Sequence, residues 1–169
     1  MDTLSHALYG GVAFGRRSRW SYWLAFFFGM APDLFSFGLF FLTNLFGITE
    51  RPDWSAGPPP ESLIPGYVHG MYDITHSLVV FAVVFAVVWI IRHRPLWEML
   101  GWPLHILVDI PTHSSEFFPT PFLWPISDFH VDGYPWSRPE IFIPNVLLLI
   151  ALYVWFWWKR RKQQESKML

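Results

Sequence analysis

The sequence predicts an all-α, polytopic integral membrane bundle of four to five transmembrane helices with long outer loops, forming one domain over residues 1–169. Three observations carry this. The chain is 53% hydrophobic, with 11 Trp and 17 Phe among 169 residues, more apolar surface than a soluble domain of this size needs to bury. Four strongly apolar stretches occur at residues 20–46, 77–91, 96–110 and 141–158, and a bilayer core of ~30 Å takes roughly 20 helical residues. Three basic clusters flank these stretches, Arg16/Arg17/Arg19, Arg92/His93/Arg94 and Lys159/Arg160/Arg161/Lys162.

The first element is a weaker helix at residues 3–14, whose small residues Gly10, Gly11 and Ala13, with Gly15 just beyond, suit close helix packing. Residues 20–46 are long enough to span, with a kink expected at Pro32. Residues 77–91 are short, and extending them back through Asp73, a suitable N-cap, makes the span adequate. Residues 47–73 and 111–140 read as long loops with an acidic excess. Their prolines, including Pro58-Pro59-Pro60, argue against regular structure. The aromatic residues in them suggest a lid at the membrane interface. The positive-inside rule puts the basic turns and the C-terminus in the cytoplasm, the N-terminus and long loops outside, with five crossings. The N-terminus lacks the basic start of a signal peptide and reads as mature sequence. There is no repeat and no basic patch interleaved with aromatics, so no nucleic-acid partner is expected.

Asp33, His76, His105 and Asp109 interrupt or border stretches otherwise fit for a bilayer, and ionisable residues there mark a functional site by default. His6 joins them. Counted from the nearest basic cluster at about 1.5 Å per residue, all five lie roughly 15–24 Å deep, in one band towards the outer side. His105 and Asp109 are i and i+4 and share a helix face; Asp2 and His6 have the same spacing. With Cys absent, a metal must be held by His and carboxylate, which favours one or two Zn²⁺, with Mn²⁺ or Fe²⁺ as alternatives.

Each residue has a plainer reading. Asp33 serves as a cap where Pro32 breaks the helix, or His105 and Asp109 as a hydrogen-bonded pair joining helices. His76 reads as an interfacial histidine and His6 as a packed helix-end histidine. Asp2 is solvated or sits behind the ligands. His113 completes a His-x3-Asp-x3-His run, but Pro111 is expected to break the helix before it. His69, Asp128, His130 and Asp132 belong to outer loops and read as solvated, although the 128–132 segment could reach over the site. His93, between arginines, reads as interfacial. Arg51 and Arg138 are the outer-side arginines, one of which could hold a phosphate.

The metal-ligand reading of His6, Asp33, His76, His105 and Asp109 implies a hydrolase, with Asp33 and Asp109 as its catalytic carboxylates. A metal with an open position activates water at neutral pH. A site at headgroup level reaches an ester or phosphoester of a lipid. There is no His-Glu-x-x-His, Gly-x-Ser-x-Gly or P-loop. The alternatives are a metal- or ion-transport protein and a non-catalytic membrane adaptor.

Asp2-x-x-x-His6-x-x-x-Gly10, Pro32-Asp33, Thr75-His76-Ser77, His105-x-x-x-Asp109 and Phe122-Leu123-Trp124-Pro125 resemble the bacterial inner-membrane metal-dependent hydrolase family, the YdjM-like proteins. The order His, Asp, His, His-x3-Asp is also similar to that of zinc-dependent phospholipase C and the related single-strand nucleases. That second resemblance implies that Asp33, His76, His105 and Asp109 hold one ion and that His6 and Asp109 help hold another. The spacing after Asp109 and the shorter chain depart from it.

Overall fold

The structure is a computed structural model that describes residues 1–49, 52–53, 59–60 and 63–168. Among these residues there are seven α-helices and no strand. They are α1 (Thr3–Phe14), α2 (Arg19–Ser36), α3 (Gly38–Leu45), α4 (Gly66–Thr75), α5 (Leu78–Arg92), α6 (Gly101–Thr112, preceded by the 3₁₀ turn Trp97–Leu100) and α7 (Pro139–Met168).

Local chemistry sets the helix starts. The Asp2 carboxylate accepts the Ser5 amide at 2.9 Å and caps α1. Ser18 caps α2 through the Ser21 amide at 3.0 Å. The Ser77 hydroxyl accepts the amides of Val79 and Val80, each at 3.1 Å, and caps α5. Each cap satisfies donors that the first helical turn leaves unpaired. Asp73 is therefore not a cap; it lies inside α4, a helix the sequence reading left within a loop.

α1, α2 and α6 meet where glycines remove side-chain bulk. A Cβ on Gly10 would stand 2.5 Å from the Ala25 carbonyl oxygen, and one on Gly101 would stand 2.7 Å from the same atom. Gly29 meets the His6 carbonyl in the same way. This close approach brings the residues of α1 and α6 against those of α2. Polar contacts fasten α7 to the bundle: Tyr9 donates to Asn145 Oδ1 at 2.7 Å, Asn145 Nδ2 donates to Ser5 Oγ at 2.8 Å, and the Tyr22 and Tyr153 hydroxyls lie 2.7 Å apart.

The 20–46 stretch bends by 63°, at Phe37 rather than at the expected Pro32. α2 runs through Pro32 unbroken, because proline removes one amide while its neighbours continue the turn. α4 and α5 meet at a second bend of 62° around His76 and Ser77. Among the described residues one helical stretch, Pro139–Lys162, is long and apolar enough to cross a membrane; counting each bent pair as a span gives up to three. This is fewer than the four to five spans expected from the sequence. α1 and α6 have 12 residues each, about 18 Å at the helical rise, too short to cross alone.

Pro111 does not break α6, which continues to Thr112. The carbonyls at its end are taken by the returning loop: Gly133 N–H donates to His113 O at 2.8 Å, Tyr134 N–H to Pro111 O at 2.9 Å, and Trp136 N–H to Thr112 O at 3.0 Å. The described part of the 113–138 connection has no helix or strand, as its prolines imply. Phe40, Ile64, Val68, Tyr72 and Phe118 form an apolar cluster that ties α3, α4 and this connection together.

Candidate metal centre

The two bends and the glycine contacts bring residues from three segments to one point. Asp33 comes from the last turn of α2, His76 from the α4–α5 joint, and His105 and Asp109 from one face of α6. One ligand atom from each lies within 4.8 Å of the others, a group that could hold a metal ion. His76, His105 and Asp109 are fully buried, whereas Asp33 is half-buried at the edge.

The tautomers follow from the hydrogen bonds. His105 Nδ1 lies 2.7 Å from the Gly29 carbonyl oxygen. His76 Nδ1 lies 3.2 Å from the Tyr72 carbonyl oxygen and 3.1 Å from Thr75 Oγ1, whose own proton goes to Met71 O at 2.8 Å. A carbonyl only accepts, so both Nδ1 atoms carry hydrogen, and in the neutral ring each Nε2 presents a lone pair. These two lone pairs face each other at 3.1 Å. Asp109 Oδ2, buried and without a hydrogen-bond partner, points at them from 3.0 Å (His105) and 3.7 Å (His76). Asp33 Oδ1 stands 3.5 Å from His76 Nε2 and 3.6 Å from His105 Nε2. Its other oxygen accepts the Thr3 hydroxyl at 2.7 Å. With both rings neutral, four electron-rich atoms converge, an arrangement that a cation relieves.

Their spacing fits that use. A tetrahedral ion with bonds of about 2.0–2.1 Å holds its ligand atoms roughly 3.3–3.4 Å apart. The five separations above run from 3.0 to 3.7 Å and bracket that value. The backbone carbonyls behind both imidazoles fix ring orientation, as is usual for histidine ligands. Tyr72 stacks on His76 with ring centroids 3.8 Å apart, and His6 stacks on His105 at 3.6 Å.

His6 lies outside the four-residue group and addresses the other oxygen of Asp109: its Nε2 is 2.9 Å from Oδ1, and its buried Nδ1 has no partner. His113 addresses the same oxygen at 3.4 Å. Its Nδ1 donates to Phe118 O at 2.9 Å, which leaves Nε2 as a lone pair. The Met1 amino group pairs with Asp109 Oδ1 and lies 3.2 Å from Thr112 Oγ1 and 3.3 Å from His113 Nε2. A positive charge therefore stands beside the second oxygen. Pro111 leaves the facing of His113 open in the sequence, and the His-x3-Asp-x3-His run is the signal for its place here.

The remaining candidates lie elsewhere. Asp2 is used as the α1 cap. His69 stacks on Phe118 at 4.6 Å. His93 is the left-handed C-cap of α5, with φ 54°. Asp132 accepts the Ser115 amide at 2.8 Å, and His130 Nδ1 turns back to Asp128 O at 3.1 Å, both on the exposed loop. Arg51 is outside the described residues. Arg138 lines a cavity of about 640 Å³ that opens over the centre, with Asp33 and His113 on its wall and Phe37, Phe41 and Trp136 around them.

Across its whole length, residues 1–169, the chain matches the family model described as YdjM inner membrane protein. No curated protein matches it, and no solved structure does.

Proposed function

The chain belongs to the YdjM inner membrane protein family, and from that premise we propose that it is a membrane-bound metal-dependent hydrolase acting on an ester or phosphoester of a lipid. The observation that carries the reading is Asp109 Oδ2, buried without a hydrogen-bond partner and aimed at two imidazole lone pairs. Histidine and carboxylate with no thiolate favour Zn²⁺, with Mn²⁺ or Fe²⁺ as alternatives. A bound divalent ion supplies Lewis acidity and makes water nucleophilic near neutral pH.

The chain's own groups do the rest. His76 and His105 are held in one tautomer and one orientation by Tyr72 and Gly29 carbonyls. Asp33 is the ligand with an exposed side, so it faces whatever enters the cavity and is placed to take or hold a proton there. Asp109 offers Oδ2 to the first set of nitrogens and Oδ1 to His6 and His113. A second ion would be held by Asp109 Oδ1 with His6 and His113, in place of the Met1 amino group that now pairs with that oxygen. Phe37, Phe41 and Trp136 exclude water and accept an acyl chain, and Arg138 at the same cavity suits an anionic phosphate. The basic end of the bundle is cytoplasmic by the positive-inside rule, which leaves the centre facing the extracytoplasmic side.

The test is a lipid-class hydrolysis screen with purified protein. Ester or phosphodiester cleavage is expected, lost in His105→Ala and Asp109→Ala and after chelation. Full activity in the chelated, metal-free protein would contradict the proposal. Ion flux in liposomes without turnover of any ester would favour transport instead.

A further inference from the structure

At the opposite, basic end of the bundle a second cavity of about 670 Å³ lies between the start of α2, the end of α5 and the Trp97–Leu100 turn. Its rim carries Arg17, Arg92 and Arg94, and its wall carries Trp23, Leu24 and Phe27. Four other cations of this end lie over aromatic rings, Arg16 and Lys159 over Trp155, Arg160 over Phe156 and Lys162 over Trp158, at 4.0–5.2 Å from the centroids, and Arg19 and Arg161 stand outside the cavity lining. Among the described residues, Arg17, Arg92 and Arg94 have neither a ring nor a carboxylate partner. The one acid of the cavity is Glu98, 7% exposed, which accepts the Ser21 hydroxyl at 2.6 Å. The aromatic wall is open, with Trp23 57% and Phe27 40% exposed.

We propose that this groove is a binding site for one anionic phospholipid, its phosphate held by Arg17, Arg92 and Arg94 and an acyl chain lying along Trp23, Leu24 and Phe27. The chemistry calls for both parts. Three uncompensated guanidiniums recognise a phosphate. A contiguous apolar wall running from them into the membrane-facing surface of α2 has no use for a free inorganic anion. Arginines that merely set topology would be scattered at the surface and would attract anionic lipid without a defined stoichiometry. The site is remote from the metal centre and does not depend on the hydrolase reading.

The test uses full-length protein in mild detergent, titrated with dioleoyl phosphatidylglycerol or dioleoyl phosphatidylcholine and read by native mass spectrometry. One tightly retained phosphatidylglycerol per chain is expected, with phosphatidylcholine held far more weakly. Each basic residue near an anionic headgroup contributes roughly fivefold, so Arg92→Gln/Arg94→Gln should weaken retention by about twenty-fivefold with helicity and metal content unchanged. Lys159→Gln/Lys162→Gln, at the same end but outside the groove, should retain the lipid like wild type. Equal retention of the two lipids by wild type overturns the site, as does wild-type retention in the double arginine variant. Displacement of the lipid by millimolar inorganic phosphate also overturns it, because that outcome describes a bare anion site.

Discussion

Asp109 is the residue on which most of the centre turns. It shares a helix face with His105, as its spacing announced, and its two oxygens look in different directions. The sequence could not reveal that division, because it depends on where α1 and the α6 terminus place His6 and His113. The carbonyls that fix the tautomers, Gly29 O and Tyr72 O, were equally illegible: every residue has one, and only packing selects which ones face a ring. If Oδ1 belongs to a second ion, His113→Ala should lower the metal content by one ion per chain while leaving the Asp33/His76/His105 set loaded. Elemental analysis of the two proteins side by side checks this, and unchanged stoichiometry would restrict the centre to one ion. At the exposed loop, the Ser115 amide donates to Asp132 and holds its carboxyl below the usual carboxylate range. A depressed folded pKa means that this contact is intact above the ordinary carboxylate range and is lost as the pH falls through the lowered value. The protection factor of the Ser115 amide should therefore fall only at acid pH in wild type, and be low at all pH values in Asp132→Ala.

At the scale of helices, the polar signals were readable and the bends were not. The small residues of α1 predicted close packing, and Gly10 does meet the Ala25 carbonyl. A Gly29→Ala substitution forces a methyl onto the His6 carbonyl and should destabilise the fold by roughly 1–3 kcal/mol, as overpacking does. It should also lower metal affinity, since Gly29 O orients His105. Thermal unfolding together with a metal titration separates the two effects. The bend at Phe37 was misplaced to Pro32 because proline is the visible local signal. The turn is instead set by tertiary packing, with Phe37 lodged against Tyr72 and Phe118. α4 was hidden in a loop because its ten residues include two glycines and follow a proline-rich segment; Val68, Tyr72 and Thr75 nonetheless share one buried face, packed into the Val68–Tyr72–Phe118 cluster. Ser77 is the cap that sequence reasoning assigned to Asp73. Ser77→Ala removes acceptors from two amides and a contact to Trp124 O. It should cost about 1–2 kcal/mol, seen as a lowered unfolding midpoint.

For the whole molecule, counting depth along each apolar stretch placed Asp33, His76, His105 and Asp109 in one band, and these four do converge, although α6 is too short to cross a bilayer alone. Counting spans was less successful. Hydropathy does not distinguish a crossing helix from a short one packed inside the bundle, and α1 and α6 are of the second kind by length. The result is a small helical scaffold with one long apolar helix, an apolar cavity over a buried acid–imidazole cluster, and a cationic groove at the other end. The central claim is that the four converging side chains hold a cation. Elemental analysis of the full-length, detergent-purified protein, after incubation with Zn²⁺, Mn²⁺ or Fe²⁺ and removal of excess, tests it most directly. At least one tightly held ion per chain in wild type, and its loss in a folded His105→Ala/Asp109→Asn variant, is the expected result. A folded wild-type protein that retains none of the three metals would contradict it.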